Sequence, residues 1–203
     1  MNLVAMDAPM MRAYRLGFTR TRLDNEVLGN FDMYLFRKNP VWGLIDPDGT
    51  VRSVAVLAVG TRKKNAWGPY ANWYAAHTLP AHRYQGRATR LNRMLLDDAR
   101  AKGCVRVKSL IQSYAGVRLH WRLGHDFWGV TEKGYIQVDS PLDRSSAWPS
   151  TTPEQARSVT DRVQPLTPTE LAAVLVAGGF ATGPQELSFL DGKPGTGLLV
   201  HSL

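Results

Sequence analysis

Eleven residues, Thr78 to Ala88 (TLPAHRYQGRA), gather the groups an anion would need. Pro80 stands three residues ahead of Arg83, and Arg83-Tyr84-Gln85-Gly86-Arg87-Ala88 runs directly into a helical pattern. A Gly-containing turn at a helix start presents several main-chain N–H groups without a crowding Cβ, beside the positive end of the helix dipole. The chemistry expected there is a phosphate cradle. Two named phosphate motifs do not apply, since there is no Walker Gly-Lys-Ser/Thr and no GxGxxG after a first strand. His77, His82, His120 and His125 match no HExxH or similar ligand spacing, and His82 lies within the turn itself, so no metal is expected. A single cysteine, Cys104, allows neither an internal disulfide nor a multi-thiolate metal site, and its place in a strand pattern marks it as core.

The elements that must position this loop are legible around it. Behind it, Ala88, Leu91, Met94, Leu95 and Ala99 recur at three and four, with Arg90, Arg93, Asp97 and Arg100 opposite, which predicts a helix stopped at Gly103. Cys104 to Ile111 alternates as a strand. Ahead of the loop, Ala71 to Leu79 is a strand carrying Asn72, Trp73, Tyr74 and His77. The unit is therefore strand, loop, helix, strand; a plain βαβ unit with a Gly turn shares that pattern.

Further upstream, residues 1–30 are weakly patterned, with a short helix over Ala8 to Leu16. Phe31 to Phe36 reads as a strand and Val41 to Ile45 as another, separated by Asn39-Pro40. Asp46-Pro47-Asp48-Gly49 is a turn that returns the chain into Val51 to Val59 as a hairpin. Downstream, Ser113 to Leu123 predicts a helix, and Phe127 to Val130 with Tyr135 to Val138 a hairpin around Glu132-Lys133-Gly134. Residues 140–153 turn to Ser, Pro and Thr and read as a linker. Thr167-Pro168-Thr169-Glu170 is a capping box opening a helix over Leu171 to Ala177, stopped by Gly178-Gly179. Leu198 to Val200 is a short strand candidate. No internal repeat occurs.

The loop resembles the acyl-CoA arm of the GNAT superfamily of N-acetyltransferases, R/Q-x-x-G-x-G/A with V-x-P just upstream. Arg83, Gly86 and Ala88 match the arm; Thr78 and Pro80 match V-x-P, with Thr for Val. A second block, Ser113 to His125, is similar to the family's N-x-x-A-x-x-L-Y-x-x-L-G-F. It keeps Leu119, Leu123 and Gly124 and carries Ser113 for Asn, Gly116 for Ala, His120 for Tyr and His125 for Phe. The resemblance covers roughly residues 30–140. It implies an α/β fold with a mixed, mostly antiparallel central sheet and flanking helices over residues 1–139, with residues 140–203 as linker and small C-terminal extension.

The resemblance also implies acyl transfer from acetyl-CoA, or another acyl-CoA, to an amine by direct attack. That chemistry needs a held cosubstrate, a neutral amine and a group that protonates or polarises the departing thiolate. Arg83 and the amides of Gln85, Gly86, Arg87 and Ala88 would hold the pyrophosphate, with Tyr84 between them, and Thr78 would lend main-chain groups to the pantetheine arm. His120 falls where the family has the Tyr that serves the leaving sulfur, and acts as acid, base or spectator. His77 is a candidate base for the amine or a hydrogen-bonded core residue. Ser113 assists a proton path or caps the next helix. Glu132 and Asp139 are weaker candidates.

Charge bears on the acceptor. Residues 1–139 hold 21 Lys and Arg against 11 Asp and Glu, whereas residues 140–203 hold 4 against 6, within a net charge of +8. Coenzyme A phosphates need only a few of those cations, so either a polyanion such as DNA or RNA meets them, with Arg62, Lys63 and Lys64 as its contact, or they form a solvated surface. Trp67, Tyr70, Trp73 and Tyr74 near that basic run would suit base stacking, or the wall of a cleft. In layout, basic character and the ending Tyr135-Ile136-Gln137-Val138-Asp139-Ser140, the chain distantly resembles the phage Mom family of DNA-modifying proteins. The leading expectation is an acyltransferase acting on a nucleic-acid base; small-molecule or protein amines, and a noncatalytic nucleic-acid-binding module, are the alternatives. No apolar run spans a bilayer and no secretory start is seen, so the cytoplasm is the expected compartment.

Overall fold

The turn Asp46-Pro47-Asp48-Gly49 organises the N-terminal part of the chain. Gly49 adopts φ 79°, and its N–H donates to the Asp46 carbonyl at 2.9 Å. This folds β2 (Val41–Ile45) against β3 (Val51–Gly60) antiparallel, with Trp42 opposite Ala55 and Gly43 opposite Val54. A short strand that the sequence pattern does not show, β1 (Asn2–Ala5), pairs antiparallel with β2. These features come from a computed structural model that describes residues 2–36, 39–60, 69–142 and 164–192. The basic run Arg62-Lys63-Lys64, with Trp67, most of the expected linker and the Leu198 to Val200 strand candidate lie outside the described residues.

The chain forms two compact units, one within Met1–Gly60 and Ala71–Gly103, the other within Thr61–Tyr70 and Cys104–Leu203. In the first, strand order is β1-β2-β3-β4, with β4 at Tyr70–Thr78. Helix α1 (Ala8–Leu16) is capped by the Asp7 side chain, which accepts from the Met10 N–H. Helix α2 (Arg22–Phe36) corrects the strand expected at Phe31 to Phe36. Leu28 and Phe31 are fully buried, and Val27, Tyr34 and Leu35 pack beside them. That spacing of three and four, opened by a cap at Thr21, outweighs the short apolar run Met33 to Phe36. Helix α3 (Arg87–Ala101) follows the loop, with Leu91, Leu95 and Ala99 buried and Arg90, Arg93, Asp97 and Arg100 exposed, as its periodicity requires.

In the second unit, strand order is β5-β7-β6, from β5 (Arg106–Ile111), β6 (Phe127–Val130) and β7 (Ile136–Pro141), and both pairings are antiparallel. Helix α4 (Tyr114–Leu123) is capped by Ser113, whose hydroxyl accepts from the Gly116 N–H at 3.2 Å. Helix α5 (Pro168–Ala177) has the full capping box between Thr167 and Glu170, and α6 (Pro184–Leu187) is one short turn. The division expected at residue 139 differs from these compact units. Leu171, Leu175, Ala181 and Leu190 share one core with Ile111, Val117, Trp121, Phe127, Ile136 and Val138. Each such aliphatic or aromatic side chain contributes about 1.5–3 kcal/mol when fully buried. Cys104 is buried. Among the described residues, no helix is long and apolar enough to cross a membrane.

Candidate functional site

Thr78 ends β4, and a single 3-10 turn, Pro80–His82, carries the chain to Arg83. Tyr84 then adopts φ 64°, an uncommon conformation for a bulky residue, and its side chain is 89% exposed. Gly86, at φ 73° and ψ 0°, is the N-cap of α3, and no side chain caps that end of the helix. A residue with a Cβ is strained at this angle. The first main-chain donors of a 15-residue helix are thus left without a capping side chain, which suits an anion.

Around this loop stands a buried polar network that sequence reading locates only in part. His77, 6% exposed, has Nδ1 2.9 Å from the Tyr14 hydroxyl and Nε2 2.9 Å from Asp24 Oδ1. Arg83 donates from one guanidinium nitrogen to the same Asp24 oxygen and from Nε to the Thr78 carbonyl at 3.1 Å. Asp24 Oδ2 accepts from the Thr21 N–H at 3.0 Å and the Thr21 hydroxyl at 2.8 Å. Thr21 Oγ1 accepts in return from the Asp24 N–H at 3.1 Å, which makes a capping box with Asp as its acidic member. Phe18 stacks on the His77 ring, centroids 5.5 Å apart, and Tyr14 meets it edge-on.

The electrostatics assign the protons. Burial alone would raise the Asp24 pKa, but hydrogen bonds from Thr21, His77 and Arg83 outweigh it and hold the carboxyl well below the usual range. Burial lowers the His77 pKa against the pull of Asp24, so the ring is neutral at pH 7. Burial also pushes the Tyr14 phenol far above its ordinary value, so it keeps its proton. An ionised carboxylate only accepts, so His77 Nε2–H donates to Asp24, and Nδ1 accepts from the Tyr14 hydroxyl. Both ring nitrogens are then occupied. His77 has no free nitrogen for a direct base role; it ties α1, the start of α2 and β4 together.

Thr78 Oγ1 lies 2.9 Å from Ser53 Oγ. Arg87, the first residue of α3, pairs with buried Asp46 and donates from Nε to Gln85 Oε1 at 3.2 Å. Asp46 also pairs with Arg52 at 2.5 Å, and Arg52 reaches Asp48. The Arg83 side chain, expected on a pyrophosphate, is therefore held by a carboxylate, as is the side chain of Arg87, of which only the main-chain N–H is expected there. The Arg83 charge is directed to Asp24, so a diphosphate at this turn would meet the uncapped start of α3 rather than that guanidinium. A cavity of about 370 Å³ in the same unit, lined by Trp42, Leu57, Leu95, Asp98 and Lys102 among others, includes none of the expected site residues.

The other expected residues belong to the second unit. His120, 2% exposed, faces His125 Nδ1 to Nδ1 at 2.7 Å, and burial, then the neighbouring imidazole, holds its pKa well below the ordinary value. The proton-donor role expected of His120 finds no support in this enclosed pairing. Ser113 caps α4, the plainer of its two expected roles. Asp139 is buried in a bidentate pair with Arg106, at 3.0 and 2.7 Å. Among the described residues, no three His, Cys, Asp or Glu side chains converge to hold a metal. The residues sequence reading missed, Tyr14 and Asp24, had one signal between them, the Thr-x-x-Asp spacing of Thr21 and Asp24.

A scan of protein-family models found no match, and a search of curated proteins found none. Solved structures do match. A GNAT-family acetyltransferase structure from Desulfovibrio desulfuricans superposes with a TM-score of 0.52 at 14% identity, covering 70% of this chain and 99% of that one. Naa20 of Chaetomium thermophilum, solved with a bisubstrate analogue, gives 0.50 at 16% identity, covering 70% and 86%. A Klebsiella pneumoniae protein assigned as an acyl-CoA N-acyltransferase gives 0.50 at 14%, covering 70% and 97%. The chain has the GNAT fold: mixed α/β, with a mostly antiparallel sheet and flanking helices.

Proposed function

We propose that this protein is an acyl-CoA-dependent N-acyltransferase. The observation that carries the reading is the start of α3, where left-handed Gly86 opens a long helix with no side-chain cap, in a chain of the fold that such enzymes use. Acyl-CoA, when bound, supplies a thioester carbonyl open to an amine nucleophile. The chain's part is to hold it: the amides of Gln85, Gly86, Arg87 and Ala88 receive the diphosphate, and Thr78 borders the arm. Attack by a neutral amine needs no covalent enzyme intermediate, and both ring nitrogens of His77 are already engaged.

For the acceptor, the finer proposal is an amino-bearing nucleic-acid base, supported by the net charge of +8 and by exposed Arg12, Arg20, Arg90 and Arg93. A second reading, a small-molecule or protein amine, is favoured by a specific observation. Arg15, Arg52, Arg83, Arg87, Arg100, Lys102 and Arg106 all sit in ion pairs, which leaves less positive charge for a polyanion than the composition suggests. Calorimetric titration with acetyl-CoA tests the cosubstrate; absence of binding would overturn the proposal. Mass spectrometry of DNA, RNA, peptide and polyamine pools after incubation with labelled acetyl-CoA then identifies the acceptor. Binding without label transfer would leave a noncatalytic module. A salt-dependent DNA affinity whose slope drops on changing Arg62, Lys63 and Lys64 would favour the nucleic-acid acceptor.

A further inference from the structure

We propose that Asp24 is the positioning residue of the loop that opens α3. Its carboxylate is pinned from the helix side before the loop is reached: the reciprocal Thr21 and Asp24 bonds fix Oδ2 and leave Oδ1 facing His77 and Arg83. Arg83 is held at two points, by Asp24 through its guanidinium end and by the Thr78 carbonyl through Nε, so the turn Thr78 to Arg83 is closed on itself. The next residues, Tyr84 and Gly86, both have left-handed backbone, and Tyr84 is almost wholly exposed, with no packing of its own to hold that conformation. The Asp24 anchor just before them, with the Arg87 to Asp46 pair just after, over-determines it. Asp24 thereby transmits the placement of α1 and α2, through Tyr14, His77 and its own helix cap, to the main-chain donors at Gln85 to Ala88. It acts through Arg83 and touches no reacting atom.

The claim about the loop is independent of cosubstrate identity; its effect on acyl-CoA rests on the reading above. Backbone 15N relaxation of the ligand-free protein separates the two. Asp24→Asn faces amide N–H against a donor on one side or the other, and should lower the order parameters of residues 83–88 below about 0.6 while β2 and β3 keep wild-type values. Arg83→Gln, which leaves Asp24 three donors, should loosen the same residues and serves if the first variant does not fold. In the double variant the second change should add nothing, because both act on one link. Wild-type order parameters at 83–88 in either single variant, or full additivity in the double, overturn the role of Asp24. If wild-type protein binds acetyl-CoA, each single variant should raise its Kd about 10-fold or more and the double no further. If wild-type protein does not bind it, the functional reading falls, while the relaxation experiment still decides the role of Asp24.

Discussion

Both units bury ionisable groups, but they treat them differently. In the second, Arg106 with Asp139 and His120 with His125 are pairs with every member 6% exposed or less, and Lys108, 3.7 Å from Asp139, is 25% exposed. In the first, Tyr14, His77 and Asp24 are equally buried, yet the network ends in Arg83, whose side chain is 37% exposed, followed by solvent-facing Tyr84. A buried pair specifies how strands and helices register against each other. A network with one end in water links the core to whatever approaches that end, and here the end is the loop whose main-chain donors lack a cap.

The contrast can be broken most forcefully at Asp139. Asp139→Ala strands the Arg106 guanidinium among buried neighbours and should cost about 3–5 kcal/mol in urea unfolding, with acetyl-CoA affinity of the folded fraction unchanged. Gly86→Val should do the reverse. A β-branched side chain at φ 73° distorts the loop and should weaken acetyl-CoA binding about 100-fold, roughly 2.7 kcal/mol, by calorimetry. Unaltered affinity would remove the loop from the site.

Acid sharpens the comparison. His120 and His77 both have folded-state pKa values below the ordinary value of 6.5, so the unfolded chain takes up protons that the folded chain refuses. Stability should fall as pH drops from 6.5 toward those lowered values, by at most about 1.4 kcal/mol per pH unit for each proton. Replacing His120 and His125 together by Leu should flatten that fall in thermal melts at pH 7 and 5. The smallest effect expected is from Thr167→Ala, which removes the α5 capping box for about 1 kcal/mol and should leave cosubstrate affinity untouched.

Much of this architecture was readable from residue types. The Asp46 to Gly49 turn, the α3 periodicity, the Ser113 cap and the Thr167 to Glu170 box are local signals, satisfied within a few residues, and each appears where its chemistry placed it. What escaped was nonlocal or diluted. Interior Gly29 and alternating polar residues blur the α2 stripe, so its last turn mimics a strand, and β1 has only four residues. Asp24 and His77 are 53 positions apart, and nothing in either neighbourhood announces the other. Spacing marked Arg83 as cationic and near a phosphate loop; only the fold shows which carboxylate claims it.

The way residues 164–192 pack also bears on how the protein can be handled. Leu171, Leu175 and Leu190 cover Val117, Trp121 and Phe127, so trimming to a minimal fragment ending near residue 142 would bare an oily seam. Such a fragment should accumulate in inclusion bodies rather than behave as a smaller version of the protein, and tags are better joined beyond the whole segment than in place of it.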